Sequence, residues 1–463
     1  MLACTTEDPV SEEPAAPGGI TLSIEGPLEA KTEGDIFSVT IKSPVKPSVS
    51  PDRDWVTVNY ATYNPKTFLM PIQLVVAPND GDERSCTVTF SSGAYRNQLT
   101  IHQDAWVRPE IDKSKISAEP VNPKASAEAK KLYSYLLGQY GTKTISGVQS
   151  SHSHTNDVVD AVYKATGSHP ALAGYDFIFL PFSPTPPSWS WQRDYTDISA
   201  QKEHWKAGGI VCYMWHWNVP DSEDIYRGGG TDGYGFYVPG ANSGNGNTTF
   251  DIREALKENT WQHEFILKDI DKMAQTLKLL QDAHIPILFR PLHEAAGNYT
   301  RYDASGGAWF WWGRYGAEPC KQLWTLLQDR LQNYHGLNNI LWVWTVDVAD
   351  GYLSAAKQWY PGNDKVDIVG FDVYADDNGL RGREYAFLDA VTEGTKMLTV
   401  SECGNIPSPE KNINAGYPWS WFMVWPTAVN DNINISGFKL NTNAYWRQLM
   451  SSKYVITREN TGI

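Results

Sequence analysis

The sequence predicts two folded units of mixed α/β class: a (β/α)8 TIM barrel over 125–463, preceded by a small all-β, immunoglobulin-like sandwich over 20–108. Three observations carry this expectation. After residue 125, eight apolar strand-like runs alternate with helical runs, the pattern of a parallel barrel. Before residue 108 the runs are short, partly alternating and bounded by Pro, Gly, Asn or Asp, as in an antiparallel sandwich. Charged residues recur where the barrel runs end, the end at which a barrel opens into a cleft. An open doubly wound sheet, the alternative, would lack that repetition.

The chain begins with Leu2-Ala3-Cys4 and then a polar run rich in Thr, Glu, Pro and Ala up to Gly19. This resembles the end of a bacterial lipoprotein signal, in which the cysteine carries lipid. On that reading residues 1–19 are a flexible tether, Cys4 is a lipid anchor, and the protein is extracytoplasmic, held at the cell surface or in the periplasm. The plain alternative is a polar tail with a chance cysteine.

The sandwich expectation rests on TLSIEG, GDIFSVTIKS, DWVTVNYATY, MPIQLVVAP, ERSCTVTF and NQLTIHQ. No catalytic cluster stands out among them. Trp55, Tyr60, Tyr63 and Tyr95 are available for sugar contact, although core filling or a spacer role explains them more simply. Residues 109–124, punctuated by Pro, Ser, Lys and Asn, read as a linker.

In the barrel region the expected strands are 144–149, 176–182, 209–217, 285–289, 339–346, 366–374, 397–401 and 421–425. The expected helices are 127–139, 155–166, 199–206, 264–282, 320–334, 354–359, 385–392 and 444–452. The irregular stretch 218–259 is expected to form an elaborated loop on the open face.

Composition narrows the function. The chain has 463 residues, 41% hydrophobic, enough for a sizeable core, and a net charge of −14. No basic run stands out, so nucleic acid is not an expected partner. No apolar stretch reaches membrane-spanning length. The five cysteines, at 4, 86, 212, 320 and 403, form no metal-binding spacing. The 19 Trp and 24 Tyr exceed what a core of this size needs. Flat rings suit the apolar faces of sugars.

The central stretch is IPILFRPLHEAAGNYTRYDASGGAWFWWG, 285–313. An apolar strand runs into Arg290, His293 and Glu294, and four adjacent aromatics follow at 309–312. In MLTVSECG a second acid, Glu402, ends another strand. Two acids on one barrel rim can face one cleft, as glycoside hydrolysis requires: one protonates the leaving oxygen while the other attacks the anomeric carbon or activates water. A salt bridge or helix cap for each is the plainer alternative. Arg290 is positioned to support the opposite carboxylate, or to form an interior salt bridge. Tyr374 ends VDIVGFDVY and could donate to the nucleophile. Trp215, Trp217, Trp309, Trp342, Trp344 and Trp425 lie at strand ends, with Trp309 and Trp425 the preferred sugar platforms. His152, His154 and His216 also follow strands, which raises a metallohydrolase as an alternative, but they complete no recognisable ligand set. A non-catalytic carbohydrate-binding protein would explain the tryptophans and leave both acids unexplained.

RPLHE at 290–294, WFWWG at 309–313, VDIVGFDVY at 366–374 and SECG at 401–404 together resemble glycoside hydrolase family 26, whose members are mostly β-mannanases. The resemblance covers about 125–463 and excludes the sandwich. It implies a TIM barrel and retention of configuration. Glu294 resembles the general acid/base, and Glu402 the nucleophile. His293, Trp309, His216, Tyr374, Trp425 and Arg290 are the substrate-binding candidates. The expected activity is that of a β-1,4-mannanase using mannan, galactomannan or glucomannan, endo-acting in the favoured reading with exo-action left open by the loops that close the cleft; no metal or organic cofactor is needed, and the chain is expected to be a monomer. β-1,3-Xylanases and mixed-linkage β-glucanases share the machinery and stand as alternatives. The extra residues at 298–308 depart from the family pattern and should reshape the cleft wall.

Overall fold

The computed structural model describes residues 15–32, 34–79, 81–106, 111–185, 194–241, 246–297, 308–347, 357–425 and 439–463. Two compact units are present, Met1–Val107 and Arg108–Ile463.

The first unit holds two four-stranded sheets. One runs in the order Thr21–Leu22, Asp35–Lys42, Leu69–Val76, Val56–Tyr60, and the other Leu28–Ala30, Tyr95–Gln103, Arg84–Ser92, Ser48–Pro51. Alternation puts Met70, Ile72, Leu74 and Val76 of one sheet, and Cys86, Val88 and Phe90 of the other, into one buried cluster. The expected antiparallel pattern has one exception. Leu28–Ala30 runs parallel to Ile101–Gln103, and three residues are too few to read from alternation. Trp55 lies under the Arg84 guanidinium, 4.3 Å from the ring centre. Tyr60 and Tyr63 donate their hydroxyls to the carbonyls of Val49 and Ser43 at 3.0 and 2.9 Å.

The second unit is a closed barrel of eight parallel strands: β1 Thr144–Gln149, β2 Leu172–Asp176, β3 Ile210–Met214, β4 Ile287–Arg290, β5 Ile340–Asp347, β6 Ile368–Val373, β7 Met397–Cys403 and β8 Trp421–Val424. Each pairs with the next, and β8 pairs with β1 to close the ring. A two-residue strand, Val455–Ile456, extends the start of β1. The strands are apolar on both faces because one face fills the barrel and the other meets the helices. The helix Ala127–Gln139 closes the N-terminal end. Its Leu132, Tyr133 and Leu136 share a buried cluster with Ile145, Leu172, Ile368 and Met397, near the starts of four strands. Of the 354–359 expectation, 354–356 lie outside the described residues, and Lys357–Trp359 form a single 3-10 turn.

One expected strand is misplaced. The run at 176–182 is not β2; Leu172–Asp176 is, and Leu180–Phe182 forms a 3-10 turn. Phe177 is buried by stacking on Tyr213 with ring centres 4.4 Å apart, so its apolarity serves the loop above the strand. The true strand, LAGYD, reads as a turn because it contains Gly174. A side chain at Gly174 would collide with Gln149 and Met423, which already fill the barrel there.

Residues 111–124 pack onto the barrel instead of spanning freely. Ile116 joins the barrel core, and the Val121 N–H donates to Asp367 at 2.7 Å. The stretch 218–259 contains helices Glu223–Gly228 and Ile252–Ala255 and a small antiparallel pair, Val219–Pro220 with Tyr234–Gly235. Cys4 lies outside the described residues. No described helix is long and apolar enough to cross a membrane.

Candidate active site

The site is built on the C-terminal ends of β4, β6 and β7. After Arg290 the chain makes a tight turn in which Leu292 and Glu294 adopt left-handed backbone angles, φ 51° and 53°. Such angles cost a non-glycine residue about 1–2 kcal/mol, so the surrounding structure must hold them. The Glu294 N–H donates to the Thr345 carbonyl of β5 at 3.2 Å, which sets the acid over the barrel mouth.

Glu402 is placed by a bulge. The β6–β7 register advances from Phe371↔Val400 to Asp372↔Glu402, leaving Ser401 as an extra residue. A bulge interrupts alternation, so consecutive side chains both reach the interior. Ser401 Oγ donates to Asp372 Oδ1 at 2.8 Å, and Glu402 Oε2 accepts from Arg290. Gly370 makes room, since a side chain there would meet Ser401.

Carboxylate oxygens of Glu294, Asp372 and Glu402 lie within 4.8 Å of one another. Among the described residues this is the one acidic or histidine group with metal-ligand spacing. Arg290 already supplies a cation to it: its guanidinium donates to Asp372 Oδ2 at 3.2 Å and to Glu402 Oε2. No histidine takes part, so the metallohydrolase alternative finds no support in this geometry. Burial opposes the charge on Arg290, but Asp372 and then Glu402 outweigh it and hold the guanidinium ionised.

Arg290 is fully buried. Its guanidinium is committed to Asp372 and Glu402, which matches the support of the opposite carboxylate and the interior salt bridge expected for it. Tyr374, a residue 47% exposed, donates its hydroxyl to Glu402 Oε1. Glu402 thus accepts from a guanidinium through one oxygen and a phenol through the other. Among the described residues Glu294 has no such donors. Burial, then Asp372, Asp347 and Glu402, push its carboxyl well above the ordinary range against the pull of Arg290.

His293 is buried and faces His216, with their Nε2 atoms 3.3 Å apart. His216 Nδ1 lies 2.6 Å from Asp176 Oδ2, and its backbone N–H donates to Asp176 Oδ1 at 3.0 Å. Burial first, then His216 and Arg290, hold the His293 imidazole well below its usual value, hence neutral.

Of the aromatic run, Phe310, Trp311 and Trp312 are buried and Trp309 is half-buried. The Trp312 indole donates to the His293 carbonyl at 2.9 Å. The 236–238 and 309–311 segments pair through Val238 N–H to Trp309 O at 2.8 Å and Trp311 N–H to Phe236 O at 3.1 Å. Trp425, also half-buried, has its ring centre 5.7 Å from that of His216. Trp215, Trp217, Trp342 and Trp344 are 1%, 0%, 0% and 3% exposed, which makes them core and not platforms. Of the insertion at 298–308, all but Ala308 lies outside the described residues.

The sequence reading named neither Asp372 nor Asp176, each inside a strand otherwise read for its apolar content. It also passed over Tyr237, whose phenol is raised by burial, then by Glu294 and Glu402.

The sequence profile of glycosyl hydrolase family 26 matches residues 121–460. A mannan endo-1,4-beta-mannosidase of Thermothelomyces thermophilus is 36% identical over 341 residues, covering 73% of this chain and 62% of the relative. Mannan endo-1,4-beta-mannosidase B of Piromyces sp. is 34% identical over 319 residues, covering 67% of this chain and 49% of the relative. The chain therefore spans about half to three fifths of these curated relatives. Among solved structures, the beta-mannanase from a symbiotic protist of the termite Reticulitermes speratus, complexed with gluco-manno-oligosaccharide, matches with TM-score 0.62 and 33% identity. That match covers 75% of this chain and 98% of the other. With its profile match spanning the barrel, the chain belongs to glycosyl hydrolase family 26.

Proposed function

We propose that the protein is an endo-acting β-1,4-mannanase that cleaves mannan, galactomannan or glucomannan by double displacement with retention. The supporting observation is the pair Glu294 and Glu402. Their carboxylates approach within 4.8 Å in opposite surroundings. Retaining glycosidases hold their acids about 5–5.5 Å apart, whereas inversion needs about 6.5–9.5 Å to admit water.

Glu402, anchored by Arg290 and Tyr374, attacks the anomeric carbon. Glu294, kept protonated by burial and neighbouring acids, gives its proton to the departing glycosidic oxygen. Water then enters, Glu294 takes its proton, and the glycosyl–Glu402 ester breaks. Asp372 and Arg290 balance the charge beneath the pair. His293, His216, Trp309, Tyr374 and Trp425 line the sugar site. The named activities of the relatives favour mannan over β-1,3-xylan or mixed-linkage glucan. Leu2-Ala3-Cys4 supports a lipid-anchored, extracytoplasmic enzyme, with residues 1–19 as tether and the 20–108 unit as spacer. The barrel is read as acting as a monomer.

The test is a time-resolved product profile on the three glycans, with Glu294→Gln and Glu402→Gln as controls and NMR of the first-formed anomer. Mannan cleavage into mixed oligomers, β-anomer first and lost in both variants, is expected. Cleavage of another glycan alone overturns the substrate, and an α-anomer overturns the mechanism. No cleavage at all returns the protein to a binding role.

A further inference from the structure

We infer that Tyr237 is a further substrate-contact residue, its phenol hydroxyl forming a hydrogen bond with a hydroxyl group of the sugar ring held between Glu294 and Glu402. This deepens the glycosidase reading and rests on it for the identity of the ligand.

The backbone places this side chain firmly. Residues 236–238 lie between two other segments. On one side the Phe236 and Tyr237 N–H groups both donate to the Gly246 carbonyl at 3.1 Å, and the Thr248 N–H donates to the Tyr237 carbonyl at 2.8 Å. On the other side Tyr237 stands opposite Phe310 in an antiparallel bridge, flanked by the Val238–Trp309 and Trp311–Phe236 bonds. Gly235 permits the close approach, because a methyl group there would meet the Gly246 carbonyl. The long stretch 218–259 is thus strapped, at Tyr237, to the aromatic run that follows Glu294.

The ring stands in the wall of the site. Its centre lies 5.4 Å from that of Phe310, and the Phe310 ring lies 5.2 Å from that of His293. Neighbouring Phe236 has its ring centre 5.0 Å from that of His216. After burial, Glu294 and Glu402 both oppose ionisation of the phenol, as acids do only at short range in a shared cleft. Tyr237 therefore overlooks the space between the two acids and keeps its hydrogen.

The hydroxyl itself is uncommitted. Tyr237 is half-buried, but its oxygen is accessible and has no hydrogen-bond partner among the described residues. Tyr374 differs, since its hydroxyl is committed to Glu402. A phenol that is held in place, protonated and unpaired beside the reacting atoms is free to meet a sugar hydroxyl, as donor or as acceptor. Because the backbone fixes the ring before ligand arrives, the bond costs little ordering.

In a β-1,4-linked chain the reacting sugar keeps its 2-, 3- and 6-hydroxyls free, and these are the possible partners. The experiment compares kcat/KM of wild type and Tyr237→Phe on an aryl β-mannobioside and on analogues that each lack one of these hydroxyls on the sugar bearing the aryl group. On the parent compound the variant should lose about tenfold, the scale of one hydrogen bond. On one analogue the two proteins should be equal, because the partner is already gone, and on the others the tenfold difference should persist. Unchanged kcat/KM in the variant, or a loss of the same size on every analogue, would overturn the contact. The melting temperature should not move, since the hydroxyl bonds nothing in the free protein; a clear fall would mean that it serves the fold instead. If wild type cleaves no glycan, the glycosidase reading fails, and calorimetric titration with mannohexaose decides the contact: weaker binding by Tyr237→Phe upholds it, and equal binding or none overturns it.

Discussion

Asp372 stands directly across the β6–β7 ladder from Glu402, one residue later on β7 than regular pairing would give. The displaced residue, Ser401, bonds to Asp372, and Arg290 bonds to both acids. After burial, Asp372 is also the largest influence holding a proton on Glu294. Asp372→Asn should therefore act at two places. Arg290 loses an acceptor and binds Glu402 harder, so kcat should fall about tenfold or more. Burial pushes the Asp372 carboxyl itself up to about 8, so its repulsion of Glu294 acts on the alkaline side, and without it the Glu294 carboxyl titrates lower there. The acid must be protonated for glycosylation, so the alkaline limb of kcat/KM should move to lower pH. A full pH–rate profile checks both effects, and an alkaline limb that stays put or moves upward would contradict the arrangement.

Tyr374→Phe removes a single donor from Glu402 Oε1 and leaves the ring in place. A hydrogen bond to a charged group contributes about 1.5–3 kcal/mol, which corresponds to roughly 10–100-fold in rate if it is made in the transition state. The residue is 47% exposed and Phe keeps the ring, so unfolding free energy should change by less than about 1 kcal/mol. Stopped-flow kinetics on an activated aryl mannoside would place the loss in the glycosylation step.

The two glutamates were legible because their position carries a cost. An acid directly after MLTVS or after ILFRPLH is too expensive in a core, so each marks an opening in the barrel. The aspartates that organise them were not. Asp372 within VDIVGFDVY and Asp176 within LAGYD alternate normally with apolar neighbours, and nothing local shows that an arginine or a histidine from another strand will meet them. Arg290 illustrates the same limit: its residue type and place were readable, but not the complete burial that separates it from substrate. Seven strands fell close to their expected positions because apolar runs are what a doubly covered strand requires. β2 failed because its glycine answers to Gln149 and Met423, which are distant in sequence. The bulge at Ser401 leaves no mark on the composition of β7.

Gly297 and Trp309 give a packing prediction. The Trp309 indole lies so close to Gly297 that a methyl group there would overlap the ring. Gly297→Ala should push the indole off its seat and into the cleft. If Trp309 stacks on a sugar, KM on manno-oligosaccharides should rise several-fold, with kcat less affected, because uniform binding is lost. The double variant Gly297→Ala, Trp309→Ala should be no worse than Trp309→Ala alone. An additive loss would mean that Gly297 matters for some other reason.

Glu294 should cost the fold stability at the pH where it works. Its carboxyl titrates well above the ordinary range in the folded protein, through burial and then Asp372, Asp347 and Glu402. Below the unfolded value, about 4.3, both states are protonated and the residue is neutral toward stability. As pH rises past that value, the unfolded chain releases its proton while the folded protein keeps it. The folded state then binds more protons, so stability declines with pH until the folded carboxyl ionises as well. Glu294→Gln removes the titration and keeps the shape. The variant should match wild type in urea unfolding near pH 4 and be more stable than wild type at pH 7, while inactive on mannan. A variant that is equally or less stable at pH 7 would mean that Glu294 is not held in its neutral form, and with it would go its role as the proton donor.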